Sequence, residues 1–107
     1  MRNQLVDKLE DLLVAGPDTA LLRFSLGNAY LKNNPKTAVT HLSRAVALDP
    51  RYTAAWKVLG KALSLEGDTS SAIDAYQQGI EIAEENGDKQ AAKEMGVFLK
   101  RLRKSSV

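Results

Sequence analysis

The side chains that could do chemistry in this 107-residue chain are few. His41 is the only histidine, and the absence of cysteine excludes thiolate catalysis, disulfides and cysteine-ligated metals. His41 lies in a helical pattern between Thr40 and Leu42, where we expect an exposed helix residue and not a base or a metal ligand.

The acidic residues and the glycines do not form a chemical site either. Asp7, Glu10 and Asp11 are one acidic stretch and Glu84-Glu85 another, and neither has the arrangement of a metal site or an acid–base pair. The glycines are scattered, so no loop that would cradle a phosphate is present. We therefore predict that the chain is not an enzyme and that it has no cofactor and no metal.

Composition describes an ordinary globular protein, with 44% hydrophobic residues, 26% charged residues and a net charge of +2. No apolar run approaches the roughly 18 residues of a membrane span. The N-terminal segment carries acids among its leucines, unlike a secretory signal peptide. We predict a cytoplasmic protein in which residues 1–107 form a single domain.

Hydrophobic periodicity and turn signals predict six helices and no strand. The helices are expected over about residues 3–14, 18–32, 35–49, a segment around Trp56 that ends before Gly67, 69–85 and 88–104. Asp18 is a candidate cap for the second helix, and Pro35 suits the first turn of the third. The chain is therefore expected to be all-α.

The fourth and fifth helices make the clearest pair. One stripe of the fourth helix holds Trp56, Leu59, Gly60 and Leu63, and one stripe of the fifth holds Ala72, Tyr76 and Gly79. A glycine inside a helix costs about 1 kcal/mol, which close approach of a neighbouring helix would explain. We expect a helical hairpin in which large residues of one helix, Trp56 among them, face small residues of the other. Close packing is also the one explanation that the sequence suggests for Gly96 in the last helix.

The helices also repeat along the chain. The pair Leu26-Gly27 recurs as Leu59-Gly60, and Ala38 recurs as Ala72. The first helix has the same pattern. Its residues Leu5, Leu9 and Leu12 precede Ala38, Leu42 and Ala45 by the same number of residues that separates Leu26 from Leu59. A helical hairpin repeated at a period of roughly 33 residues indicates an α-solenoid, and the first helix is then the second half of an incomplete repeat.

These residues resemble the tetratricopeptide repeat, whose pattern is W-x2-L-G-x2-Y, then A-x3-F, then P. The two matching segments agree at Leu26, Gly27, Tyr30, Ala38 and Pro50, and at Trp56, Leu59, Gly60, Ala72 and Tyr76. They depart from it at Arg23, Leu42, Leu63 and Glu84. The resemblance implies a right-handed α-solenoid with a half repeat (1–19), two full repeats (20–52 and 53–86) and a capping helix (87–104) that shows water its charged face.

Members of this family bind peptides or protein segments in a concave groove lined by the first helix of each repeat. On the fourth helix, the face roughly 130° from the hairpin stripe would face that groove. The contacts expected from this placement are Phe24, Asn28, Leu31, Lys57, Lys61 and Ser64. Ala91, Met95 and Phe98 are their counterparts in the last helix. The expected partner is a protein segment with apolar anchors and a carboxylate.

Each of these groove residues also has a simpler interpretation. Lys57 and Lys61 suit a solvated helix face, Phe24 and Leu31 suit packing against the first helix, and Met95 and Phe98 suit the core. The family's two-carboxylate clamp, which grips the C-terminus of heat-shock chaperones, is matched only at Asn28, which argues against that ligand.

Two other functions remain open. The ends of the array could stack into dimers, which would make the chain a self-associating structural unit. Residues 100–104 could contact RNA phosphates or an anionic membrane. Against nucleic acid, no aromatic residue lies among these cations to stack a base, and cations at this place also complement the helix dipole.

Overall fold

The computed structural model describes residues 3–105, which form six helices and no strand. The helices are α1 (Gln4–Ala15), α2 (Ala20–Tyr30), α3 (Pro35–Leu48), α4 (Thr53–Leu65), α5 (Thr69–Glu85) and α6 (Lys89–Ser105). The predicted all-α fold is confirmed. None of these helices is long and apolar enough to cross a membrane.

Side-chain caps and turn glycines set the helix ends. Asn3, Thr19, Asn34 and Asp68 each accept a backbone N–H at the start of a helix. Gly67 and Gly87 have φ of +81° and +75°, a conformation that glycine adopts without strain, and they follow the C-terminal ends of α4 and α5.

Asp18 does not cap α2, so that part of the prediction is wrong. Thr19 is the cap, and its hydroxyl accepts the N–H of Leu22 at 3.2 Å. Asp18 instead accepts hydrogen bonds from Arg23 Nε at 2.7 Å and Arg44 Nε at 3.0 Å. The hydrogen bond from Arg23 is the main reason why the pKa of Asp18 falls from 3.8 to about 2.

Each helix packs against the next one along the chain, and α4 also contacts both α2 and α6. The helices α2, α4 and α6 therefore form one layer of the array, with α1, α3 and α5 behind them. Burial follows this arrangement, because Leu26, Leu42 and Met95 are fully enclosed where the layers meet.

Three glycines bring the layers close together. A Cβ on Gly27 would collide with Leu42, and one on Gly60 would lie 2.6 Å from Cε1 of Tyr76. On Gly79 it would lie 2.6 Å from Sδ of Met95. The close approach expected for Gly60 and Gly79 is confirmed.

Two other packing expectations have different outcomes. Trp56 of α4 does face a small residue of α5, since a Cβ on Gly79 would lie 2.9 Å from Cβ of Trp56. Its ring is only half-buried, however, and its indole Nε1 donates to the carbonyl of Pro50 at 2.8 Å. Gly96 has no non-local atom within 4 Å of an added Cβ, so close packing does not account for it within residues 3–105.

Candidate functional site

An apolar cleft of about 250 Å³ opens between the C-terminal halves of α4 and α6. It is lined by Lys61, Ser64, Leu65, Tyr76, Phe98, Arg101 and Leu102. Most of the lining is aromatic or aliphatic, while Lys61 and Arg101 bring one cation from each of the two helices. The cleft therefore combines an apolar interior with two positive charges.

Aromatic packing holds this cleft in shape. The rings of Tyr76 and Phe98 lie 5.7 Å apart between centroids, with a tilt of 31°. Tyr76 is buried, and burial raises the pKa of its phenol to about 12, so it stays neutral at physiological pH. The guanidinium carbon of Arg101 lies 6.0 Å from the centroid of the Phe98 ring, a weak cation–π contact beside the cleft.

The structure brings Lys61 and Ser64 together in this cleft but places Lys57 differently. The Nζ atom of Lys57 donates to Oε2 of Glu94 on α6 at 3.1 Å. Lys57 is thus an ion-pair partner between α4 and α6, and its charge is already matched within the chain.

The three expected contacts on α2 do not join the cleft. Leu31 is only 9% exposed and packs in the core, so it offers little surface to a ligand. Phe24 is half-buried with its ring centroid 5.0 Å from that of Tyr52. Asn28 is exposed at a separate place. Their roles in binding stay predictions, and Leu31 is the least suited to one.

The structure decides between the two interpretations that the sequence left open for Met95 and Phe98 of α6. Met95 is fully buried against Gly79, which makes it a core residue and not a groove residue. Phe98 packs on Tyr76 and also lines the cleft. The cleft residues that the sequence interpretation missed are Leu65, Tyr76, Arg101 and Leu102. The interval from the start of α4 to the start of α6 is longer than that from α2 to α4, so the offset that matched Lys61 with Met95 was too short.

His41 is buried and not exposed, contrary to the sequence expectation. Only 7% of it is accessible, and its ring stacks on that of Tyr30 with centroids 5.6 Å apart. Arg23 donates to Nδ1 at 3.0 Å, and Nε2 lies 3.5 Å from Oε1 of Glu10. An acceptor role for Nδ1 leaves the proton of the neutral ring on Nε2, facing Glu10.

Burial is the main reason why the pKa of His41 is lowered. The polar cluster of His41, Arg23, Glu10 and Tyr30 links α1, α2 and α3, which is a role in stability. Among residues 3–105, no group of three or more histidines and acids could hold a metal ion.

The fold and the cleft together define an α-solenoid of helical hairpins with a preformed depression on one side. No protein-family model matches the chain. It is 48% identical over 99 residues to a TPR repeat-containing protein of Pseudomonas aeruginosa, an alignment that covers 92% of this chain and 94% of the relative. The chain therefore belongs to the tetratricopeptide repeat family.

Solved structures agree with this assignment. The solution structure of a Bordetella parapertussis protein is similar with a TM-score of 0.84 and 40% identity, covering 97% of this chain and 91% of that one. The crystal structure of a tetratricopeptide repeat domain protein of Salinibacter ruber has a TM-score of 0.72 and 30% identity, covering 78% and 94%. Proteins built from such repeats are generally protein-interaction modules.

Proposed function

We propose that this chain is a non-catalytic interaction module that binds a segment of another protein in the cleft between α4 and α6. In this proposal an apolar side chain of the segment enters between Tyr76, Phe98 and Leu102. A carboxylate next to it binds Lys61 and Arg101. The observation that carries the proposal is the pairing of an apolar cleft with two cations on different helices.

Physical chemistry supports this ligand. The aromatic floor offers apolar area that would be removed from water by an inserted side chain. Arg101 lies beside the Phe98 ring, a weak contact that favours its position next to the cleft, and its guanidinium can bind a carboxylate through two hydrogen bonds. Within residues 3–105, no acid pairs with Lys61 as Glu94 pairs with Lys57, and the side chain of Lys61 is exposed.

A selection of displayed random peptides against the purified protein tests the proposal. We expect the selected peptides to share a large apolar residue beside an acid. Their affinity should fall at least about tenfold in the variant Lys61→Glu/Arg101→Glu, because a charge-assisted contact typically contributes more than about 1.4 kcal/mol. The control Lys36→Glu/Lys89→Glu changes the net charge equally at two exposed residues outside the cleft.

A neutral variant separates the cleft from a general effect of charge. Ser64→Trp places a large side chain in the cleft and leaves the net charge unchanged. It should also weaken the binding of the selected peptides, in a protein whose helical circular dichroism matches that of wild type. Peptides that bind both cleft variants and the control equally would show that the binding surface lies elsewhere.

A further inference from the structure

Three glycines occupy the same place in three helices. Gly27, Gly60 and Gly96 are each the eighth residue of their helix, because α2, α4 and α6 begin at Ala20, Thr53 and Lys89. Gly27 lies against Leu42 of α3, and Gly60 lies against Tyr76 of α5. Gly96 has open space instead. Helix α6 thus keeps the glycine that admits a neighbouring helix, and within residues 3–105 no helix occupies that place.

Helix α1, at the other end of the array, also has an apolar face without a neighbouring helix among residues 3–105. It ends at Ala15 as α3 ends at Leu48, one repeat later, so Leu5 and Leu12 stand where α3 has Ala38 and Ala45. Both alanines are fully buried, whereas Leu5 is 56% and Leu12 57% exposed. No residue of α1 is buried. In α3 this apolar face packs against α2. The corresponding face of α1 is therefore open.

The two open faces are complementary in size. In the hairpin of α4 and α5, an added Cβ on Gly79 would lie 2.9 Å from Cβ of Trp56. At the matching positions, α6 has Ala92 in place of Trp56, and α1 has Leu12 in place of Gly79. The large and the small partner are therefore exchanged between the two helices. At the neighbouring position, Gly60 contacts Tyr76; the corresponding residues are Gly96 in α6 and Leu9 in α1.

The two helices are also complementary in charge. Helix α1 carries Asp7, Glu10 and Asp11 against the single base Lys8. Helix α6 carries the single acid Glu94 against the bases Lys89, Lys93, Lys100, Arg101, Arg103 and Lys104. Opposite charge on two surfaces favours their association and makes it depend on salt.

We propose that α6 of one copy of this chain binds α1 of a second copy, so that the two helices form a hairpin equivalent to that of α4 and α5. Leu9 of the second copy then lies over Gly96, and Leu12 lies over Ala92. This contact is head-to-tail, and each pair leaves one open face at either end. Association therefore continues beyond dimers and extends the solenoid.

Sedimentation velocity of the purified chain over a range of concentrations is the first test. We expect the average mass to rise above the monomer at high concentration and to return towards it in high salt. Gly96→Gln should weaken the association at least about tenfold by filling the open place, without lowering the melting temperature of the monomer. Ser43→Gln, at an exposed position of α3, is the matched control that leaves association unchanged.

Charge variants on α1 add a result that loss of structure cannot imitate. Lys8→Glu removes the one base of α1 and should tighten the association, whereas Asp11→Lys should weaken it. Both positions are exposed, so the folded monomer should tolerate either change. A wild-type protein that sediments as a monomer at every concentration in low salt would overturn the proposal.

Disulfide trapping distinguishes a head-to-tail contact from a symmetric one. The chain has no cysteine, so the single variants Leu12→Cys and Ala92→Cys each carry one thiol. A mixture of the two should form a mixed disulfide dimer under mild oxidation, and each alone should not. Equal crosslinking of each variant with itself would show a symmetric contact and contradict the proposed one.

Discussion

Gly60 lies against the ring of Tyr76 so closely that a Cβ on the glycine would come within 2.6 Å of Cε1. The ring is only 2% exposed and packs on Phe98 of α6, so a shift away from a new Cβ would disturb that contact as well. Gly60→Ala should therefore lower the free energy of unfolding by about 1–3 kcal/mol through overpacking, despite the better helix propensity of alanine. Urea unfolding measures this, and a variant as stable as wild type would contradict the close packing.

The same substitution at Gly96 should have the opposite effect. A Cβ there meets no neighbour in the part of the chain that the structure describes, so Gly96→Ala only improves helix propensity. We expect the free energy of unfolding to rise by about 0.5–1 kcal/mol. Urea unfolding at low protein concentration keeps self-association from contributing. A loss of stability would mean that Gly96 packs against something within its own chain.

The contrast between these glycines shows where the sequence was sufficient. The contacts of Gly27 and Gly60 follow from the repeat of Leu-Gly along the chain and from helical spacing, both of which can be read without the fold. The place of α6 depends on the length of α5, which has 17 residues where α3 has 14. The alignment of Lys61 with Met95 spans two residues fewer than the interval between the starts of α4 and α6, and two residues correspond to about 200° of helical rotation. That alignment placed Met95 on the groove face, and the alternative interpretation, in which Met95 belongs to the core, is the one that the structure supports.

The burial of His41 depends on residues that are distant in sequence. Helical spacing places a residue on a face of its own helix, but it does not show that Arg23 and Glu10 reach that face from α2 and α1. One signal was available, since Arg23 replaces the tryptophan of the repeat pattern at a position that faces the hairpin. A partly buried guanidinium requires polar partners, and Asp18 and His41 provide them.

Acid should destabilise the protein through His41. Burial lowers the pKa of His41 below the 6.5 of an exposed histidine, so in that range the unfolded chain binds a proton that the folded chain does not. The contribution of the neutral His41 ring to the free energy of unfolding is fully present above about pH 6.5. It decreases as the pH falls towards the pKa of His41 in the folded protein. His41 is the only histidine, and Glu10, Arg23 and Asp18 are the charged groups that act on it. The pKa of Asp18 is about 2, far below this interval.

Chemical unfolding between pH 7.5 and 5.5 tests this assignment. Wild type should lose stability over that interval, whereas His41→Gln should lose much less, although the variant is less stable at pH 7.5. Equal slopes for the two proteins would show that His41 is not responsible for the dependence.

Trp56 should contribute less to stability than its place in the repeat pattern suggests. A buried tryptophan replaced by alanine costs about 3–5 kcal/mol, but Trp56 is half-buried. We expect Trp56→Ala to cost about 2 kcal/mol and Leu42→Ala, at a fully buried position, about 2–5 kcal/mol. Unfolding in urea gives both values. The reverse order would show that Trp56 is a central core residue after all.

The Lys57–Glu94 pair should stabilise the packing of α6 on α4 only modestly. The two side chains are 35% and 40% exposed, and ion pairs accessible to water are typically worth about 0.2–1 kcal/mol. In a double-mutant cycle, Lys57→Gln and Glu94→Gln should each lower stability, and the coupling free energy should lie in that range and decrease in high salt. Because Lys57 is already paired, Lys57→Gln should leave the affinity of the selected peptides nearly unchanged, while Lys61→Gln weakens it. Equal losses from the two variants would place both lysines in the binding surface, as the sequence alone had suggested.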